Sequence, residues 1–466
     1  MFSGRDSELK ILEKEFRSSN NSLVVMYGRR RIGKSSLIEE FSKNKKNCYL
    51  FEGIEQGNTL EQIQHFTESL KKQIQDPILE SVNFKSWREV FNYLDQKLIN
   101  SKHKIILCFD EFQWMAVGQS KLPSLIKFFW DTQWKKKKVM LILCGSIASY
   151  MVKKVIKSKA LYGRISKKIL LKSLEPNESL ALFKNKRSKD EILKYLLIFG
   201  GVPKYLESID LNESFNRNMN SLCFSKDSYL LEEPTAIFYS QFKETETYLK
   251  IVRLLEKNIH SYKEISEKLK IASGGGFSSY LDNLGLAEII SEYRPFNSKQ
   301  NTKLKRYKLS DEFLCFFYKY IEPNLNLIQG TKTTNLFDKL CGNQYLPWMG
   351  YAFERFCLKH AYYLIDRLDL SNEALRVGPY FEKQGKGFQV DLVIARNDQT
   401  ISLCEIKYQD TAIETKIIPE FERKVSLFPV PKGYSIEKIL ISTKGPSKAL
   451  IDTGYFHKYL DINDIF

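Results

Sequence analysis

Gly28-Arg29-Arg30-Arg31-Ile32-Gly33-Lys34-Ser35 is the stretch whose reading decides the fold. It fits the spacing G-x-x-x-x-G-K-[ST], a glycine-rich loop whose backbone N–H groups cradle phosphates. The apolar run Leu23 to Tyr27 ahead of it reads as a buried parallel strand, and Lys34 to Phe41 carries the pattern of an amphipathic helix. Gly28 and Gly33 let the backbone turn and come close to a phosphate. The free N–H groups and dipole of the helix start favour an anion there. In this reading Gly28, Arg29, Arg30, Arg31, Ile32, Gly33, Lys34, Ser35 and Ser36 line the nucleotide. Lys34 reaches the β- and γ-phosphates, and Ser35 holds Mg²⁺.

Working outward, Cys48 to Phe51 reads as a second strand, and helical patterns cover Leu60–Ile74 and Trp87–Leu98. The apolar strand Lys104 to Phe109 ends in Asp110-Glu111. At this distance behind a phosphate loop, Asp110 is expected to bind Mg²⁺ and Glu111 to polarise the attacking water as general base. A further apolar strand, Val139–Cys144, ends at Gly145-Ser146, where Ser146 is a candidate sensor of the γ-phosphate. Arg164 is a candidate arginine finger, acting within its own chain or across a subunit interface. These strands and helices predict an α/β domain with a doubly wound parallel sheet and a ligand at the strands' carboxyl ends.

The chain has 466 residues, with 72 Lys+Arg against 55 Asp+Glu and a formal charge of +17. That length suits two to four domains, and the charge suits an acidic partner, most simply nucleic acid. Runs such as Lys135 to Lys138 also fit a solvated turn. None of the eight cysteines forms a C-x-x-C pair, which argues against a zinc ribbon or redox pair and for a reducing, cytoplasmic setting. No signal peptide or run of membrane-spanning length is evident, so no membrane partner is expected.

The later stretches carry two more modules. Leu249 to Leu255 is an amphipathic helix, Ser261-x-x-Glu264 is a capping box opening a second, and Gly274-Gly275-Gly276 reads as a flexible turn. A third helix from Phe277 to Leu284 and strands at Ala287–Glu292 and Lys305–Leu309 complete a winged helix-turn-helix pattern. Its wing, with Lys299, Lys303, Lys305 and Arg306, suits either a duplex or internal packing. Pro323 to Pro347 reads as a connection. Beyond it, Gln389–Ile394 and Ile401–Tyr408 form a hairpin that brings Asp391 beside Glu405. Residues two apart share a strand face, so Glu405 and Lys407 lie together while Cys404 and Ile406 point to the core. Two carboxylates can hold Mg²⁺, and a lysine beside them can orient water. Glu420, Glu422, Arg423 and Lys424 read as a solvated helix face.

Phe2-Ser3-Gly4-Arg5, the phosphate loop, Asp110-Glu111-Phe112-Gln113-Trp114, Cys144-Gly145-Ser146, Tyr162-Gly163-Arg164 and Gly200-Gly201-Val202-Pro203 occur in that order. Together they resemble the archaeal-type ATPase family, a branch of the STAND NTPases in the AAA-like group. The resemblance implies ATP as the nucleotide, a helical lid containing Gly201 and Pro203, and a C-terminal nuclease-like domain. Ile147 stands where relatives often carry a second hydroxyl, leaving the sensor role to Ser146. The tail's Asp391…Glu405-Ile406-Lys407 resembles the PD-(D/E)xK nuclease site, and Glu354 matches its upstream helix glutamate. The expected boundaries are 1–175 for the ATPase domain, 176–245 for the lid, 246–322 for the winged module and 323–466 for the nuclease-like domain. The function expected is an ATP-hydrolysing switch that binds nucleic acid, with a tail that either cleaves DNA by a metal-dependent route or only binds it. The alternative is an ATP-regulated signalling scaffold for protein partners. Either role is compatible with a homo-oligomer. A small-molecule kinase fits poorly, because no acceptor-substrate domain is apparent.

Overall fold

Alternation in the strand sequences explains how the first sheet is buried. In the computed structural model, β1 (Ser22–Tyr27), β2 (Cys48–Glu52), β3 (Ile105–Asp110), β4 (Val139–Gly145) and β5 (Lys167–Leu170) form one sheet in the order β2-β3-β4-β1-β5. Every pairing is parallel. Leu23, Val25, Leu107, Phe109, Leu141 and Leu143 face one layer of helices, including Thr59–Gln73, Trp87–Lys97 and Leu122–Thr132. Val24, Met26, Ile106, Cys108, Ile142 and Cys144 face the other, built from Asp6–Arg17 and Lys34–Ser42. The central strands β1, β3 and β4 are apolar along most of their length because both faces are covered, whereas the edge strand β5 opens on the exposed Lys167 and Lys168. The expected α/β parallel sheet is therefore present. The described residues are 2–97, 103–118, 120–242, 244–293, 296, 305–330, 333, 335–382 and 387–466.

The chain divides into two compact units, Met1–Ser173 and Leu174–Phe466. In the second, helices such as Lys189–Phe199 and Pro203–Glu207 come first. Gly201 joins them where an added Cβ would stand 2.1 Å from the Leu174 carbonyl oxygen, so only glycine fits. Three helices, Thr245–Lys257, Tyr262–Leu269 and Gly275–Leu286, then accompany a small antiparallel sheet. It contains β6 (His260–Ser261), β7 (Ile290–Tyr293) and β8 (Arg306–Leu309) in the order β6-β8-β7. The Ser261/Glu264 capping box forms as expected. The glycine turn does not extend as far as expected: Gly275 and Gly276 belong to the third helix. Its buried Phe277, Leu281 and Leu284 supply packing that offsets the glycine cost.

The expected connection at 323–347 is mostly helical. Leu325–Gly330 and Leu336–Cys341 are helices, and Tyr345–Lys359 begins inside the stretch. Helices this short show too few turns for their period to be read. The last sheet, β9 (Ala374–Glu382), β10 (Phe388–Arg396), β11 (Thr400–Lys407), β12 (Ser435–Ser442) and β13 (Lys458–Leu460), has the order β13-β12-β11-β10-β9. It is mixed: β9, β10 and β11 pair antiparallel, whereas β12 joins β11 and β13 in parallel. Leu392, Ile394, Cys404 and Ile406 face the helix Tyr345–Lys359. Val393, Leu403 and Leu440 face the helix Ile417–Leu427. Among the described residues no helix is long and apolar enough to cross a membrane. All eight cysteines are free thiols.

Candidate functional sites

Strand order puts the chemistry of the first unit in one place. Because β4 lies between β1 and β3, the end of β4 separates the phosphate loop from Asp110-Glu111. The loop itself is fixed from several sides. Gly33 is left-handed (φ 82°) at the start of the helix Lys34–Ser42. Lys34 is buried, and its Nζ donates to the Gly28 and Arg29 carbonyls at 3.2 and 2.8 Å. Arg30 pairs with Glu55 at 3.2 Å. Arg5, to which sequence reading gave no role of its own, is buried and donates from Nη2 to the Ile32 carbonyl (3.1 Å) and the Lys172 carbonyl (2.6 Å). It ties the N-terminal segment to the loop. Its signal was the Phe-x-Gly-Arg element, whose arginine has no apolar reason to be buried.

The acidic strand end meets the loop through a hydroxyl. Ser35 Oγ donates to Asp110 Oδ2 at 2.7 Å, and Asp110 Oδ1 accepts the Glu111 backbone N–H at 2.8 Å. A hydroxyl and a carboxylate converging in this way are the hard oxygen ligands Mg²⁺ prefers, so the donor set fits that ion. Glu111 is left-handed (φ 47°), a conformation seldom adopted by residues other than glycine. Its Oε2 accepts from Ser146 Oγ at 2.6 Å and from Gln113 Nε2. Gln113 Nε2 also reaches Ser146 Oγ at 3.1 Å. Ser146 and Gln113 are both buried, so the three form a fixed polar group. Sequence reading missed the bond from Gln113, although the i, i+2 spacing from Glu111 was visible. Glu52 ends β2 beside Asp110, and burial, then Asp110 and Glu111, raise its carboxyl pKa.

Arg164, the candidate arginine finger, pairs with Asp131. Its Nε and Nη2 donate to the two Asp131 oxygens, each at 2.7 Å. That bonding, with Lys127 adding to it, pulls the Asp131 carboxyl down to about 2. A planar guanidinium meeting a carboxylate edge-on accounts for the placement.

In the tail, the hairpin brings Asp391 and Glu405 together as expected, but the face they share is not open. Glu405 is fully buried and Asp391 nearly so. Asp391 Oδ2 accepts the Ile406 N–H at 3.0 Å. Lys407 Nζ lies 2.9 Å from Glu405 Oε1. Lys424 Nζ reaches both Glu405 oxygens, at 2.8 and 2.7 Å. Lys424 thus corrects the solvated-face reading of its helix: it turns inward, while Glu420 approaches Lys407 at 3.4 Å. Glu422 binds the Tyr455 hydroxyl and Lys438. Glu354 lies within electrostatic reach of Lys407, Glu405 and Lys424, and burial raises its pKa. Burial, then the Glu405 charge, pushes Asp391 well above the ordinary carboxylate range. Burial opposes the Lys407 ammonium, but Glu405, Glu420 and Asp391 outweigh it and raise its pKa. Among the described residues no cluster of three or more His, Cys, Asp or Glu is arranged to hold a metal. Asp391 and Glu405 alone could still supply the one or two carboxylates that Mg²⁺ commonly takes.

In the small sheet, Lys305 pairs with Glu292 at 2.8 Å and Arg306 with Glu264 at 3.0 Å. Lys299 and Lys303 lie outside the described residues.

Residues 2–209 match the family model described as an ATPase domain predominantly from Archaea. Residues 317–418 match a second model, described as archaeal and bacterial proteins of unknown function. An uncharacterized protein of Methanocaldococcus jannaschii is 29% identical over 462 residues, covering 97% of this chain and 98% of the relative. An uncharacterized ATP-binding protein of the same organism is 46% identical over 46 residues, 10% of this chain and 78% of that protein. Among solved structures, the Walker-type ATPase of Pyrococcus abyssi aligns with a TM-score of 0.51 at 22% identity. That alignment covers 68% of this chain and 95% of the other. Over residues 2–209 the chain is thus similar to ATPase domains found predominantly in Archaea, and the protein is a P-loop ATPase.

Proposed function

We propose that the protein is an ATP-driven switch acting on nucleic acid, with an ATPase domain (1–175), a helical lid (176–245), a winged helix-turn-helix (246–322) and a PD-(D/E)xK-like tail (323–466). The observation that carries the proposal is the Ser35–Asp110 contact at 2.7 Å beside Glu111 held by Ser146 and Gln113. Ser35 and Asp110 would hold Mg²⁺, which supplies charge neutralisation for the β- and γ-phosphates. Lys34 would exchange its loop carbonyls for phosphate oxygens, and the loop N–H groups would fix the nucleotide's orientation. Glu111 would take the proton of the attacking water, and Ser146 would hold that carboxylate in register. Arg164 could serve as a finger only after release from Asp131, within the chain or between copies of it.

The formal charge of +17 supports a nucleic-acid partner, and DNA is the substrate we assign to the tail. There Asp391 and Glu405 would hold Mg²⁺, and Lys407 would orient water. The test is nicking of supercoiled plasmid with ATP and Mg²⁺ or Mn²⁺, comparing wild type with Asp391→Ala. Metal-dependent nicking lost in the variant is the expected result. A second reading, an ATP-regulated scaffold for protein partners, has one observation in its favour: Lys424 occupies both oxygens of the buried Glu405. Equal plasmid integrity with both proteins supports that reading and removes the nuclease.

A further inference from the structure

The small sheet and the helix Tyr345–Lys359 bring together donors that have no acceptor. Ser291 on β7 and Lys308 on β8 are direct partners across the antiparallel ladder, so both side chains leave the sheet on one face. Lys308 lies within electrostatic reach of Arg355, Cys315 and Glu354. Arg355 lies over the Trp348 ring, its guanidinium carbon 5.3 Å from the ring centroid. Arg355 Nε and Nη2 and Ser291 Oγ are shielded from solvent and bond to no protein atom. Among the described residues no hydrogen bond or ion pair engages the Lys308 ammonium.

Such a group is costly unless something completes it. Shielded donors are normally paired, and unpaired buried charge is strongly unfavourable. Burial, with Arg355 adding to it, pushes the Lys308 ammonium down to about 8. Cys315 supplies no counter-charge, because burial raises its thiol to about 11. Glu354 is shared with Lys407 and Lys424, so it does not balance Lys308 and Arg355 alone. Nε and Nη2 are one edge of the guanidinium, and that edge matches two oxygens of a single anion. Lys308, within electrostatic reach of Arg355, adds an ammonium, and Ser291, its cross-strand partner, adds a hydroxyl.

We propose that Ser291, Lys308 and Arg355 form a binding site for a phosphate-type oxyanion, the chemistry shared by a nucleic-acid backbone group and free phosphate. The neighbouring Glu354 reaches the Lys407 and Lys424 cluster, so a backbone phosphate here would run beside Asp391 and Glu405. The site stands whether or not the tail cuts DNA.

The test uses the full chain carrying Lys34→Ala, which removes the glycine loop as a competing phosphate site. Melting is followed with inorganic phosphate against chloride at equal ionic strength. The expected result is a concentration-dependent rise in Tm that Lys308→Met or Arg355→Met abolishes. Without phosphate these variants should melt at the same temperature or higher, since an unpaired cation has gone. If either fails to fold, Arg355→Lys, which keeps the charge and loses the fork, should bind phosphate roughly ten-fold more weakly. A short DNA duplex that competes with phosphate identifies the backbone as the source, and one that does not identifies free phosphate. No rise with phosphate, or a rise that survives all three substitutions, would overturn the site.

Discussion

The two units each set a pair of carboxylates at a strand, and they hold them with different chemistry. In the first, Asp110 and Glu111 are partly exposed and accept from neutral hydroxyls, Ser35 and Ser146. In the second, Asp391 and Glu405 are buried and Glu405 accepts from two ammonium groups, Lys407 and Lys424. A hydroxyl satisfies a lone pair and leaves the negative charge available to a divalent cation. An ammonium cancels that charge. On the proposed reading, the first arrangement would take Mg²⁺ directly, whereas the second would have to exchange a lysine for it.

The largest effects should come from the first pair. Glu111→Gln keeps the shape and loses the base, so turnover should fall about 10²–10⁴-fold while nucleotide still binds, as read by phosphate release and calorimetry. Equal turnover in variant and wild type would remove Glu111 from the chemistry. Lys34→Ala should weaken nucleotide binding by about 3 kcal/mol, or roughly 100-fold.

Lys424→Ala makes the second pair more like the first. Leaving Glu405 with Lys407 alone should cost about 3 kcal/mol in urea unfolding, and divalent cations should then bind more tightly in calorimetric titration. Unchanged cation affinity would break the comparison. A smaller effect is expected from Asp391→Asn. The folded carboxyl of Asp391 is raised, so its contribution to stability is full below the unfolded value of about 3.9 and is lost as pH rises through the folded one. The variant should therefore gain on wild type as pH increases across that interval, and a constant difference would contradict the burial argument. The smallest is Gln113→Ala, which removes one of two donors to Glu111. It should change turnover by about five-fold, the value of roughly 1 kcal/mol.

The sequence made the first unit legible because glycine spacing, strand hydrophobicity and the acidic strand end are all local signals. Ser146 could be named for the same reason. Lys424 could not, because a helix repeating charges at i and i+4 looks solvated, and only the packing of Phe421 and Val425 against the sheet turns Lys424 inward. The burial of Arg5 depends on carbonyls at Ile32 and Lys172, the latter far along the chain. Arg164 fits a finger by position, and its pairing with Asp131 is equally nonlocal. Asp391 beside Glu405 was legible because a short hairpin sets the register, whereas the cover over that face was not.

The central claim is that a magnesium triphosphate sits between Lys34, Ser35 and Asp110. Its most direct test is equilibrium titration of the full chain with a non-hydrolysable ATP analogue, with and without Mg²⁺. Saturable binding that Mg²⁺ strengthens in wild type, and that Asp110→Asn makes insensitive to Mg²⁺, is the result the geometry requires. Binding indifferent to Mg²⁺ in the wild type, or no binding by folded protein, would contradict it.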